Sequence, residues 1–285
     1  MKLWYIVYMN RFFFLVVVFL SLASCTEYSK VLKSDSVEKK YTMAKELYDT
    51  GLEKKKKNKL SKSVRLLEQI QPGMRGKPQN EVVSYMIANA YYNIGDYLLA
   101  AYHFEKFVKS FPDSDKREES IFKTANSFYK ASPRYSLDQR ETHKAIEKLQ
   151  LYLNAYPDGE YFEVCNNHLG ELRNKLDKKA YEIAKQFHHR GQMGLWRPAV
   201  HALSNFIDEH PGSIYLEKAY FYRLESQFEY AMNSFKNLER ERIQEALKYH
   251  NEYVEKFPDG EFIKTVNRYY EEMQNELRYL DELNL

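Results

Sequence analysis

Two alanines, at positions 88 and 125, are surrounded by polar and aromatic residues whose chemistry fits an extended peptide. Asn89 and Asn126 each follow one of these alanines. An asparagine amide offers both a hydrogen-bond donor and an acceptor, as a peptide backbone does. Neighbouring tyrosines offer flat apolar area, and a lysine could pair with a terminal carboxylate. The sequence therefore predicts a peptide groove, with ordinary repeat-surface residues as the alternative; its candidates are Tyr85, Asn89, Tyr92, Phe122, Lys123, Asn126, Tyr129 and Lys130.

Other polar residues give weaker signals of chemistry. The sequence has no His-Glu-x-x-His, glycine-rich phosphate loop or nucleophile elbow. His188 and His189 lack the spacing of metal ligands, so they are interpreted as a surface pair. Cys165 is predicted to be a small buried residue, and Trp196 a packing anchor. We therefore expect no enzyme, no metal and no cofactor.

The elements that must position the groove follow from a spaced pattern. An alanine is followed by large residues 4 and 7 positions later and by a proline 12 positions later, and this occurs four times. The four copies are Ala100, Phe104, Phe107 and Pro112; Ala145, Leu149, Tyr152 and Pro157; Ala199, Leu203, Phe206 and Pro211; and Ala246, His250, Tyr253 and Pro258. A fixed pattern repeated along the chain is the signature of a repeat architecture.

The pattern predicts paired antiparallel helices. Alanines allow two helices to approach closely, aromatic side chains fill the groove between them, and proline beside Asp or Gly ends the second helix. Only 10 Gly and 8 Pro among 285 residues also favour helices. The predicted fold is therefore all-α: a tetratricopeptide-repeat α-solenoid of about five helix pairs with a C-terminal capping helix. A net charge of +3 does not favour nucleic-acid binding.

Helix bounds follow from the apolar periodicity and from the breaks between periodic segments. A run of four lysines at residues 54–57 falls in a turn, either as a solvated loop or in contact with anionic lipid or a partner. The helices are predicted at residues 37–52, 60–70, 81–94, 117–131, 161–187 without interruption, 199–209, 216–238, 239–256 and 262–283.

The N-terminus has the pattern of an export signal. An apolar run at residues 12–20 follows Arg11 and is shorter than a membrane-spanning helix. Either Met1 or Met9 could be the start. Residues 22–25, Leu-Ala-Ser-Cys, resemble the lipobox of bacterial lipoproteins. The resemblance implies a signal peptide at 1–24, a Cys25 carrying acyl chains such as palmitate, and a lipidated tether at 25–36. The alternatives are an ordinary cleaved signal or an uncleaved anchor.

An insertion interrupts the third repeat. Ala125 and Ala145 are twenty residues apart, whereas Ala88 and Ala100 are twelve apart. A longer loop costs little stability, so its presence indicates a specific role. The residues singled out in it are Pro133, Arg134, Asp138, Gln139 and Thr142, with Thr142 the expected N-cap of the next helix.

This loop, read with Ala145-Ile146 and with Tyr-Pro-Asp-Gly-Glu-Tyr at residues 156–161, is similar to the BamD family of outer-membrane β-barrel assembly lipoproteins, in its Bacteroidetes-type form. The lipobox and the stretch at 173–184 agree with it. The resemblance implies a non-enzymatic subunit, lipid-anchored on the periplasmic side of the outer membrane, in the complex that inserts β-barrel proteins. It implies that repeats at 37–160 receive unfolded barrel proteins and that repeats at 161–285 bind the POTRA region of BamA. Other assembly lipoproteins are possible partners.

Two other functions remain open from the sequence. One is a lipid-anchored adaptor of the cell envelope, tied to division or peptidoglycan. The other is a glycan-binding lipoprotein, although such proteins are typically much longer than 285 residues.

Overall fold

The computed structural model describes residues 27–283, and the regular elements in that range are all helices. The predicted all-α class is confirmed. The signal peptide at 1–24 and the lipidation at Cys25 lie outside the described residues. The helices are α1 (Glu27–Lys33), α2 (Val37–Glu53), α3 (Lys57–Ile70), α4 (Gln79–Ile94), α5 (Tyr97–Ser110), α6 (Arg117–Ala131), α7 (Arg140–Ala155), α8 (Phe162–His189), α9 (Trp196–Glu209), α10 (Leu216–Met232), α11 (Lys236–Lys256) and α12 (Ile263–Glu282), with short 3₁₀ turns at Gln71–Met74 and Gly191–Met193.

Most predicted helices are present, and α6 and the uninterrupted α8 are confirmed. Two expectations are wrong. The predicted tether contains α1, because Tyr28, Val31 and Leu32 pack against the core of α2 and α3. The break predicted at residue 238 instead follows Met232, where the side-chain amide of Asn233 donates to the carbonyl of Glu229 at 2.8 Å.

The chain divides into two compact units. The first contains the described residues up to Ala131 together with Glu147–Cys165, and the second contains Ser132–Ile146 and the residues from Asn166 on. In the first unit α2, α3, α4, α5 and α6 pack each on the next along the chain. In the second, α9, α10, α11 and α12 do the same. The predicted functional halves, divided at residue 160, stay a prediction.

The spaced pattern forms the interior of both units. The alanine and the two large residues of all four copies are buried. The pair α2 and α3 forms a further repeat that lacks the proline. Ser63 takes the alanine position there, and its hydroxyl donates to the carbonyl of Ala44 at 2.6 Å. The repeat assignment is therefore confirmed by burial, copy by copy.

Each copy ends its helix in the same way. The residue before proline donates its backbone N–H to the carbonyl four residues earlier, at 2.8–3.0 Å, and then leaves the helical conformation. Proline disfavours a helical conformation in the residue before it, and it has no N–H with which to continue the ladder. The donors are Phe111, Tyr156, His210 and Phe257.

Two copies carry a tyrosine seven positions after the alanine and a glycine directly after Pro-Asp. The Tyr152 hydroxyl donates to Glu118 at 2.7 Å and accepts the N–H of Tyr161 at 3.0 Å. A Cβ on Gly159 would lie 2.5 Å from that hydroxyl. Tyr253 and Gly260 repeat the arrangement, with a distance of 2.6 Å. These glycines therefore leave room for a buried hydroxyl.

The other two copies carry phenylalanine and serine at the same places. Ser114 comes seven residues after Phe107, and Ser213 comes seven residues after Phe206. Each serine accepts the backbone N–H two residues on, at 3.0 Å for Ser114 and 3.2 Å for Ser213. Without the tyrosine hydroxyl the Cβ fits, so the choice between glycine and serine follows the choice between tyrosine and phenylalanine.

Candidate peptide groove

Three hydrogen bonds at a constant sequence offset join α4 to α6. Tyr85 donates to Glu119, Lys123 donates to Asn89, and Asn126 donates to Tyr92, each at 2.7 Å and each between residues 34 apart. Equivalent positions of the two repeats, such as Ala88 and Ala125, are 37 residues apart. Each α4 residue therefore pairs with the α6 residue three positions before its equivalent. We call Tyr85, Asn89, Tyr92, Glu119, Lys123 and Asn126 the Tyr–Asn–Lys ladder. It contains five of the eight predicted groove residues and one, Glu119, that the sequence analysis missed.

Glu119 is the electrostatic centre of the ladder. One carboxylate oxygen lies 2.7 Å from the Lys123 ammonium, and the other lies 3.1 Å from that of Lys116. Burial opposes ionisation of Glu119, but hydrogen bonds from Lys123, Tyr85 and Lys116 outweigh it and lower the pKa of Glu119 to about 2. Burial and the Glu119 carboxylate together raise the pKa of Tyr85. The tyrosine therefore stays a hydroxyl donor, and the carboxylate stays charged at neutral pH.

The Asn89 amide is already engaged on both sides. Its NH₂ donates to the Tyr48 hydroxyl at 2.6 Å, and its oxygen accepts from Lys123. Asn89 thus positions Lys123 and does not offer the free donor and acceptor expected from the sequence.

Asn126 differs from Asn89 in the hydrogen bonding of its amide oxygen. Its NH₂ donates to Tyr92, but its amide oxygen is buried and accepts no hydrogen bond from any described group. Buried polar groups in proteins nearly always have a partner. The side chain is only 7% exposed, so bulk water does not supply one. This oxygen is the ladder acceptor that lacks a partner among the described residues, and the side chains that cover it must move before a ligand can reach it.

Lys123 lies over three aromatic rings as well as beside Glu119. Its ammonium is 5.6 Å from the ring centre of Tyr85, 5.7 Å from that of Tyr92 and 5.8 Å from that of Phe104. Such contacts fix a cation against the faces of aromatic rings. With Glu119 as its partner, Lys123 is not a free cation for a terminal carboxylate, contrary to the expectation.

The remaining predicted groove residues lie in different environments. Phe122 is buried and stacks on Tyr161 with ring centres 4.0 Å apart, so its ring belongs to the core and not to a groove surface. Tyr129 is half-buried. Lys130 is exposed, with its ammonium 5.8 Å from the ring centre of Tyr97. Lys130 is therefore an exposed cationic neighbour of the ladder, as is Lys116 beside Glu119.

The loop at 132–142 is organised by a buried glutamine. The Gln139 amide donates to the carbonyls of Arg134 and Leu137 at 2.9 Å and of Tyr135 at 3.3 Å. The Gln139 oxygen accepts from the Thr142 hydroxyl at 2.8 Å. One side chain therefore fixes the course of the whole loop.

Thr142 is not an N-cap, because α7 begins at Arg140 and Thr142 lies inside it. Its buried hydroxyl lies 2.5 Å from that of Ser132, which closes the base of the loop. Asp138 accepts the N–H of Arg140 and so occupies the place before the helix. Pro133 is half-buried, and Arg134 and Asp138 are exposed. From α8, Lys175 donates to Ser132 at 2.8 Å and Lys179 to the Leu137 carbonyl at 2.6 Å.

In the second unit, His188 is not the surface residue that the sequence suggested. Its Nδ1 lies 2.9 Å from the Ser226 hydroxyl, and its Nε2 lies 3.1 Å from Glu225. Ser226 donates to the Tyr222 carbonyl inside its own helix and is buried, which leaves no accessible nucleophile there. Burial would raise the pKa of Glu225, but hydrogen bonds from His188 and Tyr269 lower it.

Two other expectations are confirmed by packing. Trp196 is an anchor: a Cβ on Gly191 would lie 2.0 Å from its indole ring. Cys165 is buried, and burial raises the pKa of its thiol to about 12. Among residues 27–283, no three His, Cys, Asp or Glu side chains are grouped so as to hold a metal ion. No helix within that range is both long enough and apolar enough to cross a bilayer.

The helices are paired, alanines are buried between them, and the ladder joins α4 to α6, the first helices of two successive pairs. These features define an all-α repeat protein of tetratricopeptide type. The chain belongs to the YfiO family of outer membrane lipoproteins, whose sequence profile matches residues 40–201. No curated protein matches it.

Solved helical-repeat structures are similar to the chain at low identity. Two structures of a Podosopora anserina putative kinesin light chain with nearly identical TPR-like repeats are 16% and 17% identical, each with a TM-score of 0.31. They cover 81% and 76% of this chain and 96% and 97% of their own. A de novo designed helical repeat protein is 15% identical, with 90% and 99% of the two chains covered and a TM-score of 0.17.

Proposed function

We propose that the protein is a non-enzymatic subunit of the outer-membrane β-barrel assembly complex, anchored through acylated Cys25 on the periplasmic side. It binds unfolded β-barrel proteins through the surface around the Tyr–Asn–Lys ladder and binds the POTRA region of a BamA-like protein through its C-terminal repeats. Membership of an outer membrane lipoprotein family supports the location and the assembly role.

The Asn126 amide oxygen is the observation that carries the peptide-binding part. An unfolded β-barrel segment presents a backbone N–H at every residue except proline, and such a donor supplies the missing partner once the side chains that cover this oxygen move aside. The half-buried ring of Tyr92 beside it offers a face for the aromatic side chains of barrel strands. Exposed Lys130 adds a positive charge one helical turn after Asn126.

Glu119, Lys123 and Asn89 have a supporting role in this proposal. They fix one another, so that the ladder is rigid before a peptide arrives. A surface ordered in advance loses less entropy on binding. Substrate recognition then rests on Asn126, Tyr92 and Lys130, with Lys123 holding the rings.

The test is fluorescence anisotropy of a labelled peptide from the last strand of a β-barrel protein. Asn126→Leu keeps the size of the side chain and removes the acceptor, together with the NH₂ group that donates to Tyr92. We expect binding to weaken about tenfold, the equivalent of one hydrogen bond. Tyr102→Ala, at a 55% exposed position on α5, is the control and should bind like the wild type. Equal affinity of Asn126→Leu and wild type, with both folded by circular dichroism, contradicts the proposal.

The partner is tested separately by affinity capture. The Cys25-anchored chain, isolated from outer membranes, should retain a POTRA-containing barrel protein. Recovery of the chain without such a protein contradicts this part and leaves the peptide measurement unaffected.

A further inference from the structure

Charge is divided unevenly along the chain. Residues 27–65, from α1 to the middle of α3, carry twelve Lys or Arg and six Asp or Glu, whereas residues 66–285 carry 29 and 34. The first stretch is therefore strongly positive, and the rest is weakly negative. The net charge of +3 for the whole chain conceals this difference.

The beginning of α1 contacts α3 through Tyr28 and Lys62. The Tyr28 hydroxyl donates to the Lys62 carbonyl at 3.3 Å, and the Lys62 ammonium lies 5.1 Å from the Tyr28 ring centre. Cys25 precedes α1 by two residues, which span at most about 7 Å. An acylated Cys25 would therefore hold α1 and α3 close to the lipid surface.

The lysine run at residues 54–57 lies at the N-terminal end of α3. Lys57, its last member, is five residues before Lys62, or about 7.5 Å along the helix axis. Its ammonium lies by Gly95, at the carbonyl end of α4. Lys54, Lys55 and Lys56 are exposed in the turn, and no carboxylate of the described residues forms an ion pair with them. Three free cations thus lie in the turn that precedes α3, the helix on which Tyr28 of α1 is held.

We infer that the α1–α3 surface binds anionic phospholipid through Lys54, Lys55 and Lys56, and that this contact orients the repeats on the membrane. The orientation rests on the proposed anchor at Cys25, but the lipid contact itself does not. Charges closer to a surface than about 8 Å, the Debye length at physiological salt, interact with its headgroups. The three lysines come within this distance when α3 lies along the bilayer surface beside the anchored α1.

The expected size of the effect is large enough to measure. A lysine near an anionic surface strengthens binding about fivefold, and three together by up to about a hundredfold. High salt screens the attraction, so binding should fall steeply as salt is raised.

The test uses the chain from residue 26, which includes every described residue and has no acyl group. Co-sedimentation is measured with vesicles of phosphatidylcholine alone and with about 30% phosphatidylglycerol added. The triple variant Lys54→Gln, Lys55→Gln, Lys56→Gln is compared with a control that loses the same charge at three other exposed lysines: Lys109→Gln, Lys218→Gln, Lys264→Gln.

We expect binding to the phosphatidylglycerol vesicles alone, a loss of at least tenfold in the first variant and little change in the control. Equal losses in both variants would show attraction to net charge only and would overturn the inference. Absence of vesicle binding would also overturn it and would leave an acidic protein as the partner of this surface. Neither result changes the outcome of the peptide or POTRA measurements, so failure of the lipid contact is distinguishable from failure of the proposed function.

Discussion

A substitution at Gly159 tests whether the Tyr152 hydroxyl requires a glycine in the turn that ends a repeat. The backbone of Gly159 is not left-handed, so alanine has no conformational penalty there. Its Cβ, however, would lie 2.5 Å from the Tyr152 hydroxyl and 2.6 Å from the Glu118 carboxylate. Gly159→Ala must displace the hydroxyl from its bonds to Glu118 and Tyr161.

The cost of Gly159→Ala follows from these two effects. Overpacking costs about 1–3 kcal/mol, and each weakened hydrogen bond costs about 1 kcal/mol. With both bonds weakened, we expect the free energy of unfolding to fall by about 3–5 kcal/mol. In a Tyr152→Phe background the hydroxyl is absent and the Glu118 side chain can move, which leaves the contact with the Tyr156 Cβ at 2.8 Å. The same alanine should then cost at least about 1 kcal/mol less than in the wild type.

The assay is equilibrium urea denaturation followed by circular dichroism for the wild type, both single variants and the double variant. Gly170→Ala is the control, since no atom lies within 4 Å of its Cβ and alanine favours the helix it occupies. It should stabilise by about 0.5–1 kcal/mol. Costs of Gly159→Ala and Tyr152→Phe that add within about 0.5 kcal/mol would refute the reasoning, because independent sites add.

Two further predictions concern the ladder and the loop. Glu119→Gln should lower the free energy of unfolding by about 1–3 kcal/mol at pH 7. Because the pKa of Glu119 is lowered from 4.5 to about 2, the stabilisation by its charge is complete above pH 4.5 and is lost as the pH falls towards 2. The unfolding free energies of the wild type and the variant should therefore converge in acid. A gap that stays constant from pH 7 to pH 3 would contradict this. Gln139→Ala should speed amide hydrogen exchange of residues 133–138, whereas Ser136→Ala, at an exposed position, should not; unchanged exchange would show that the glutamine does not hold the loop.

The repeat pattern predicted the fold because its positions are the ones that pack. Ala100, Phe104 and Phe107 are buried as expected, and so are their three sets of equivalents. The correlation of Tyr152 and Tyr253 with glycine was also present in the sequence. Its meaning could not be inferred there, since the distance from a hydroxyl to a turn seven residues later depends on the fold.

The site was harder to predict than the fold. Counting around helices located Asn89, Lys123 and Asn126 correctly on facing helices, but it did not show that Glu119 and Tyr48 take up their hydrogen bonds. A constant offset of 34 residues between polar pairs was the signal that could have found Glu119. The α1 helix was missed because Tyr28, Val31 and Leu32 are few among polar residues, and only contact with α2 and α3 gives their spacing significance.

The central claim, that the ladder surface receives unfolded β-barrel proteins, is tested most directly by photo-crosslinking in intact cells. A crosslinking residue replaces Tyr92 or Lys130 on the ladder side, Tyr102 on α5 as the control, or the 40% exposed Tyr270 on α12. We predict adducts with newly exported β-barrel proteins from positions 92 and 130, a POTRA-containing protein from position 270, and neither from position 102. Barrel adducts from position 102 as abundant as those from positions 92 and 130, or none from either ladder position, would contradict the account.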